Sequence, residues 1–550
     1  MRPLIALRKP WPLLLPAILF VLALAPSLAL LLRATDMPLL GRFKDDAIYF
    51  ESARSLATGS GYRIPSLPGQ PFQTKYPPLW PLILSSVWRI NPNFPANLAV
   101  ASVLAWGAVP AYLALAWAMF VRWGLRRAAA WFAVFVLACN SLVLLFGAMI
   151  MADLWFSTAL LACVLCAERA AFADHGYRYA LLAGVLAAVA FLTKSSGLPL
   201  LASLPICFLL RRQYRRAALS FAPVFAAVAS WNLWVRAHVS HSSDLVSLYY
   251  TSYLGYYLRG LTWHNFLHVV SINTRLLFSS LRGLFLVGAG DSPFEVILCS
   301  VAIFAGVLGV AQFVKRTGCW QYPAFAAIYL VQLIVWNPIL NSRLLFPLLP
   351  LLLAGIATQI TDALVPASAD GSGWRLNRTA SIAIVGLLAP LFLLVGVASC
   401  GAVLRSVPNS LAQGRRETAR NLGAYQWISA HTPATAAFVA DDDGLLYLYT
   451  GRSAVRQIMP AVVLYTWQED ALENEVRALP AYARAFHFQY VMLTSTDLTV
   501  AGMERFRPLL KETMSRAPGF VCVYESGGTE IYRDDGAPLP AARRPARSAS

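Results

Sequence analysis

Two adjacent carboxylates, Asp45 and Asp46, follow the first long apolar run, with Tyr49 one helical turn beyond Asp45 and the segment Lys75-Tyr76-Pro77-Pro78-Leu79 further along the same loop. A carboxylate beside a membrane accepts a proton from a hydroxyl or holds a metal, and low dielectric tunes its pKa. The proline pair keeps the chain extended after Lys75, fixing an ammonium at headgroup height. Each feature also has a plain reading: acids complement the positive end of a helix, and a lysine near hydrocarbon snorkels.

Three more charges stand at the ends of apolar runs. Asp153, in GAMIMADLWFS, is an acid close to hydrocarbon, where a carboxylate costs about 2.5–3.5 kcal/mol at a helix centre and less near the interface. Lys194, in FLTKSSGLPL, and Arg343, in NSRLLFPLLP, suit a phosphate or other oxyanion. His264 and His268, in TWHNFLHVV, have the spacing that puts two imidazoles on one helical face and are the weak candidates for a metal. A divalent metal is compatible with the sequence, but no feature requires one. Asp441-Asp442-Asp443-Gly444 resembles the start of a calcium loop but lacks the alternating ligand spacing and terminal glutamate, so it reads as a turn.

The elements that must carry these groups are membrane helices. The chain of 550 residues is 58% hydrophobic and only 13% charged, with mean hydropathy +0.57, too little charge to cover a soluble surface of that size. The net charge of +18 sits in short clusters between apolar runs, the pattern of topology signals rather than of nucleic-acid binding. Runs near 11–32, 96–121, 128–148, 152–171, 178–193, 196–211, 217–235, 294–314, 321–337, 343–361 and 379–404 predict about eleven transmembrane helices. The first reads as an uncleaved helix. The eight cysteines are scattered and show no disulfide framework.

Cationic clusters at Arg2/Arg8/Lys9, Arg122/Arg126/Arg127, Arg169/Arg178, Arg211/Arg212/Arg215/Arg216, Lys315/Arg316 and Arg375/Arg378 orient the chain. All are cytoplasmic if the short stretches 78–90 and 276–290 do not cross. Residues 33–95 and 236–293 then form two outer loops with amphipathic surface helices. In one of these, AIYFESARSLAT, Ile48, Phe50, Ala53 and Leu56 share a side and Glu51 and Arg54 take another. This parity puts the N-terminus in the cytoplasm, and Asp45, Lys75, Asp153, Lys194 and Arg343 at the outer face. Residues 406–535 alternate helix and strand and read as an outward small α/β domain; 536–550 read as a disordered tail.

The order D-D-x-x-Y, K-Y-P-P-L, an acid between the third and fourth helices, Gly184 to Gly197 around FLTK, and R-x-x-x-P from Arg343 to Pro347 resembles the GT-C glycosyltransferases. It is similar in particular to bacterial relatives of protein O-mannosyltransferases and of the lipid A aminoarabinose transferase. The resemblance covers residues 1–405. It implies a bacterial inner-membrane enzyme of inverting mechanism that moves a hexosyl or pentosyl group from a polyprenyl-phosphate-linked sugar donor to a hydroxyl of an envelope glycan, lipid or protein. It also implies Asp45 or Asp46 as general base, Asp153 as second acid, and Lys75, Tyr76, Tyr49, Lys194 and Arg343 around the lipid phosphate, with no required cofactor. In this chain Tyr76 stands between the lysine and the proline pair. The competing readings are a transporter or flippase, which gathers ionisable groups near the midplane of broken helices, an inactive envelope subunit, and a headgroup phosphotransferase.

Overall fold

The computed structural model describes residues 11–240, 245–259, 261–285, 293–336, 340–364, 378–457, 469–499 and 503–536. Arg2, Arg8, Lys9, Arg375 and the tail from 537 on lie outside them. The chain divides into two compact units, one of 1–37, 99–229 and 272–408, the other of 38–98, 230–271 and 409–550.

The first unit is helical. Among the described residues of the chain, six helices are long and apolar enough to cross a membrane, or seven if the bent pair Arg127–Ala138 and Ser141–Gly147 is one span. The runs expected at 178–193, 196–211 and 321–337 are helices of more modest length, Tyr177–Thr193, Ser195–Leu209 and Gln321–Trp336. Small residues set the closest approach: a Cβ added on Gly309 would overlap the Gly355 carbonyl oxygen, and one on Gly355 that of Gly306. In lipid, where packing rather than apolar burial drives association, such glycines let backbones touch. Gly309→Val is therefore expected to lower the melting temperature of the purified protein, with about 1–3 kcal/mol lost to overpacking. Unchanged melting would remove this contact from the account of the fold.

The second unit is built on a five-stranded sheet of order β2-β1-β3-β5-β4, with β1 Ala437–Ala440, β2 Ser453–Val455, β3 Tyr490–Leu493, β4 Phe520–Ser526 and β5 Thr529–Asp534. β1 pairs in parallel with β2 and β3, and β5 is antiparallel to β3 and β4. The β4–β5 hairpin turns on Gly527 and Gly528, both with positive φ, as a tight hairpin turn demands. On one side Ala424, Tyr425 and Ile428 pack on Phe438, Ala440 and Ile531. On the other, Val439, Val455 and Val491 meet Val476, Leu479 and Leu510, and also Ile48, Ile64, Leu67 and Tyr250.

Residues of both long loops thus share the core of the C-terminal α/β domain. The helix foreseen from 47 to 58 runs Asp45–Ala57, but it is not an amphipathic surface helix: Tyr49, Phe50, Glu51, Ser52 and Ala53 are all buried. The reason is that β-domain and loop residues cover the side that the pattern assigned to water, where Ser66 Oγ donates to Glu51 Oε1 at 2.8 Å. The run expected at 379–404 lies in a longer helix, Arg378–His431, that continues into the segment 406–535.

Candidate active site

In the second unit, the Asp45–Ala57 helix opens with both acids. They have different surroundings. Asp46 is buried and accepts the backbone N–H of Gly41 (3.1 Å) and of Ala47 (3.0 Å), which fastens the turn into the helix. Asp45 is half-buried, and its Oδ1 accepts the Tyr76 hydroxyl at 2.5 Å. Burial, with the Asp45 carboxylate beside it, pushes the Tyr76 phenol well above its usual pKa, so Tyr76 stays a donor. Tyr49 packs edge-on against Tyr76, ring centroids 4.7 Å apart.

Lys75 lies beside Tyr76, with Nζ 5.0 Å from the Tyr76 ring, 3.6 Å from that of Tyr249, 5.3 Å from Tyr250 and 5.2 Å from Tyr253. The ammonium is seated among tyrosine faces, each an electrostatic partner worth about 0.5–2 kcal/mol. The second-loop rings come from the short helices Leu245–Thr251 and Tyr253–Arg259. Sequence reasoning missed them; the signal was there in YYTSYLGYY, five tyrosines in a loop with no other use for them. The extended stretch before Lys75 is held by Gln73, whose Oε1 accepts the N–H of Lys75 at 3.0 Å and of Tyr76 at 3.3 Å.

In the first unit, Asp153 stands in the opening turn of the Ala152–Phe172 helix. Its Oδ1 takes Lys194 Nζ at 2.5 Å and Arg343 Nε at 3.3 Å, and its Oδ2 takes Arg343 Nη2 at 3.3 Å. One carboxylate thus binds two cations in a nearly buried triad. Lys194 terminates the Tyr177–Thr193 helix in an extended conformation. The turn after it folds back so closely that a Cβ on Gly197 lies 2.8 Å from Phe191 Cα, which explains the glycine in TKSSG. Arg343 begins a short helix capped by Asn341, whose side chain accepts the Leu344 N–H.

His264 is exposed at the start of the Trp263–Phe285 helix and His268 is half-buried. Among the described residues no group of three or more His, Cys, Asp or Glu is placed to hold a metal. The Asp441–Asp443 run is more than a turn: Lys44 Nζ pairs with Asp441 Oδ2 at 3.0 Å and with Asp442, and Asp443 starts the Asp443–Thr450 helix.

No family model matches the chain, and no curated protein does. Solved structures do. ArnT from Cupriavidus metallidurans in the apo state superposes with a TM-score of 0.55 at 13% identity, over 94% of this chain and 97% of that one. The same protein bound to undecaprenyl phosphate gives 0.55 at 14%, with the same coverage. The chain has the GT-C fold. The expected class, a polytopic helical membrane protein with a C-terminal α/β domain, is what this likeness shows. The Archaeoglobus fulgidus oligosaccharyltransferase also aligns, at 13% identity over 94% of this chain and 75% of that one, with a TM-score of 0.48.

Proposed function

We propose that the chain is an inverting glycosyltransferase of the bacterial inner membrane. It takes a sugar from a polyprenyl-phosphate carrier and delivers it to an acceptor hydroxyl at the outer face. The observation that carries the proposal is the Asp45–Tyr76–Lys75 arrangement, in which one tyrosine joins a half-buried carboxylate to a ring-seated ammonium. Asp45 takes the acceptor's proton as its oxygen forms a bond to the anomeric carbon. The bond from that carbon to the phosphate oxygen breaks, and the electron pair leaves with the polyprenyl phosphate, whose charge Lys75 meets. Tyr76 orients Asp45, and Tyr49 supports Tyr76. In the first unit, Asp153 holds Lys194 and Arg343 in place, two cations of the kind that suit an oxyanion. An undecaprenyl phosphate complex of ArnT supports a carrier of this class.

The test compares envelope glycans, lipids and glycoproteins, by mass spectrometry, from cells with and without the chain. Loss of one sugar from one class of acceptor is expected. Identical profiles, together with substrate flux into sealed vesicles lacking acceptor, would replace this reading by transport. Orientation has its own check: a cysteine at Ser526 is expected to react with an impermeant maleimide from outside intact cells, and labelling only after lysis would reverse the sidedness.

A further inference from the structure

We propose that the Asp441-Asp442-Asp443-Gly444 run is a positioning element for the Asp45–Lys75 centre, holding the acid through Lys44 and the ammonium through Tyr250. The inference rests on the function proposed above and assigns the C-terminal domain a part in the chemistry.

Every residue of the run touches the centre's supports. Lys44 precedes Asp45 with φ of 61°, a left-handed conformation that a non-glycine residue adopts only when its surroundings impose it. Its ammonium is fixed by Asp441 and Asp442. Burial pulls the Lys44 ammonium down, but those two carboxylates reverse the shift and leave it raised. The backbone turn that launches Asp45 into its helix is thus clamped by charges some four hundred positions later in sequence. Asp443 Oδ2 accepts the Tyr250 hydroxyl at 2.8 Å while Oδ1 accepts the Gly444 N–H at 2.9 Å. Tyr250 packs edge-on against Tyr249 with centroids 5.2 Å apart, and both rings face Lys75 Nζ. A Cβ on Gly444 lies 3.0 Å from Ala47 Cβ, so the glycine lets the run sit against the helix that carries Asp45.

The experiment uses the full chain in nanodiscs. Acylation of Lys75 by an amine-reactive reagent, followed by peptide mass spectrometry, reports its surroundings without reference to any sugar. Asp443→Ala is expected to change that rate about threefold, the size of one ammonium–ring contact. Asp443→Asn, which keeps an acceptor for Tyr250, is expected to restore it in part. Asp534→Asn, which breaks the pairing with Arg484 elsewhere in the domain, controls for general loosening and is expected to leave the rate unchanged. In the other arm, Lys44→Ala is expected to lower kcat for transfer with KM unchanged. Lys44→Gly is expected to recover most of it, because glycine adopts the left-handed turn without a clamp. An unaltered Lys75 rate in folded Asp443→Ala, or an unaltered kcat in Lys44→Ala, overturns the proposal. A shifted Lys75 rate in a protein whose wild type binds no undecaprenyl phosphate keeps the positioning and discards the glycosyltransferase reading instead.

Discussion

Asp45→Asn is expected to reduce sugar transfer by about 10²–10⁴-fold, the usual contribution of a positioned general base, while leaving the melting temperature within error. The amide has the carboxylate's shape, and its oxygen still accepts the Tyr76 hydroxyl that now reaches Asp45 Oδ1. What is lost is proton affinity. Asp46→Asn is expected to do the opposite. Asp46 uses Oδ2 for Gly41 and Oδ1 for Ala47, so an amide satisfies one N–H and turns its own N–H₂ against the other. An unmet buried donor costs about 1–3 kcal/mol. The helix start loosens, melting falls, and transfer persists in the protein that remains folded. The measurement is transfer from a radiolabelled polyprenyl-phosphate sugar beside thermal melting of the same preparations. If Asp46→Asn abolishes transfer at unchanged stability and Asp45→Asn does not, the base has been assigned to the wrong carboxylate.

That contrast marks how far the sequence could be read. Composition and the eleven apolar runs were enough for a polytopic helical protein, because a membrane helix must be apolar along its whole length. The alternation of helix and strand over 406–535 is legible in the sequence, whereas the three-residue β2, Ser453–Val455, is too short to carry a pattern. The Asp45–Ala57 helix was legible as a helix and misread as a surface one. Its alternation of apolar and polar side chains is the same whether the polar side meets water or, as with Glu51 and Ser66, a buried hydroxyl. Asp45, Lys75 and Tyr76 were found because they lie close in sequence. The supports from Lys44 and the Asp441–Asp443 run were not, since a contact between residues some four hundred positions apart leaves no trace in local spacing; the tyrosine cluster at 249–257 stood in the sequence, but not its pairing with Lys75. Asp441–Asp443 was dismissed for lacking ligand geometry, a sound argument against calcium that says nothing about ion pairs.

The largest stability effect is expected at Asp153, and it separates the triad's structural role from its chemical one. Asp153→Ala leaves Lys194 and Arg343, whose side chains are 13% and 17% exposed, as like charges with the carboxylate gone from between them. Removing one partner of a buried pair typically costs about 3–5 kcal/mol because the remaining charge is uncompensated; here two charges are affected. Poor membrane accumulation or a steep fall in melting temperature is the expected outcome. Lys194→Met removes one cation and keeps the Asp153–Arg343 pair, which is neutral and bidentate, so the fold is expected to survive with little change in melting. One of the two cations, however, is gone. If that charge serves a phosphate, binding of undecaprenyl phosphate to Lys194→Met weakens while melting does not. If the triad only braces the helix start, Lys194→Met binds the lipid as the wild type does. The two substitutions act on one ion cluster from opposite sides: the first removes the carboxylate, the second one of its two cations.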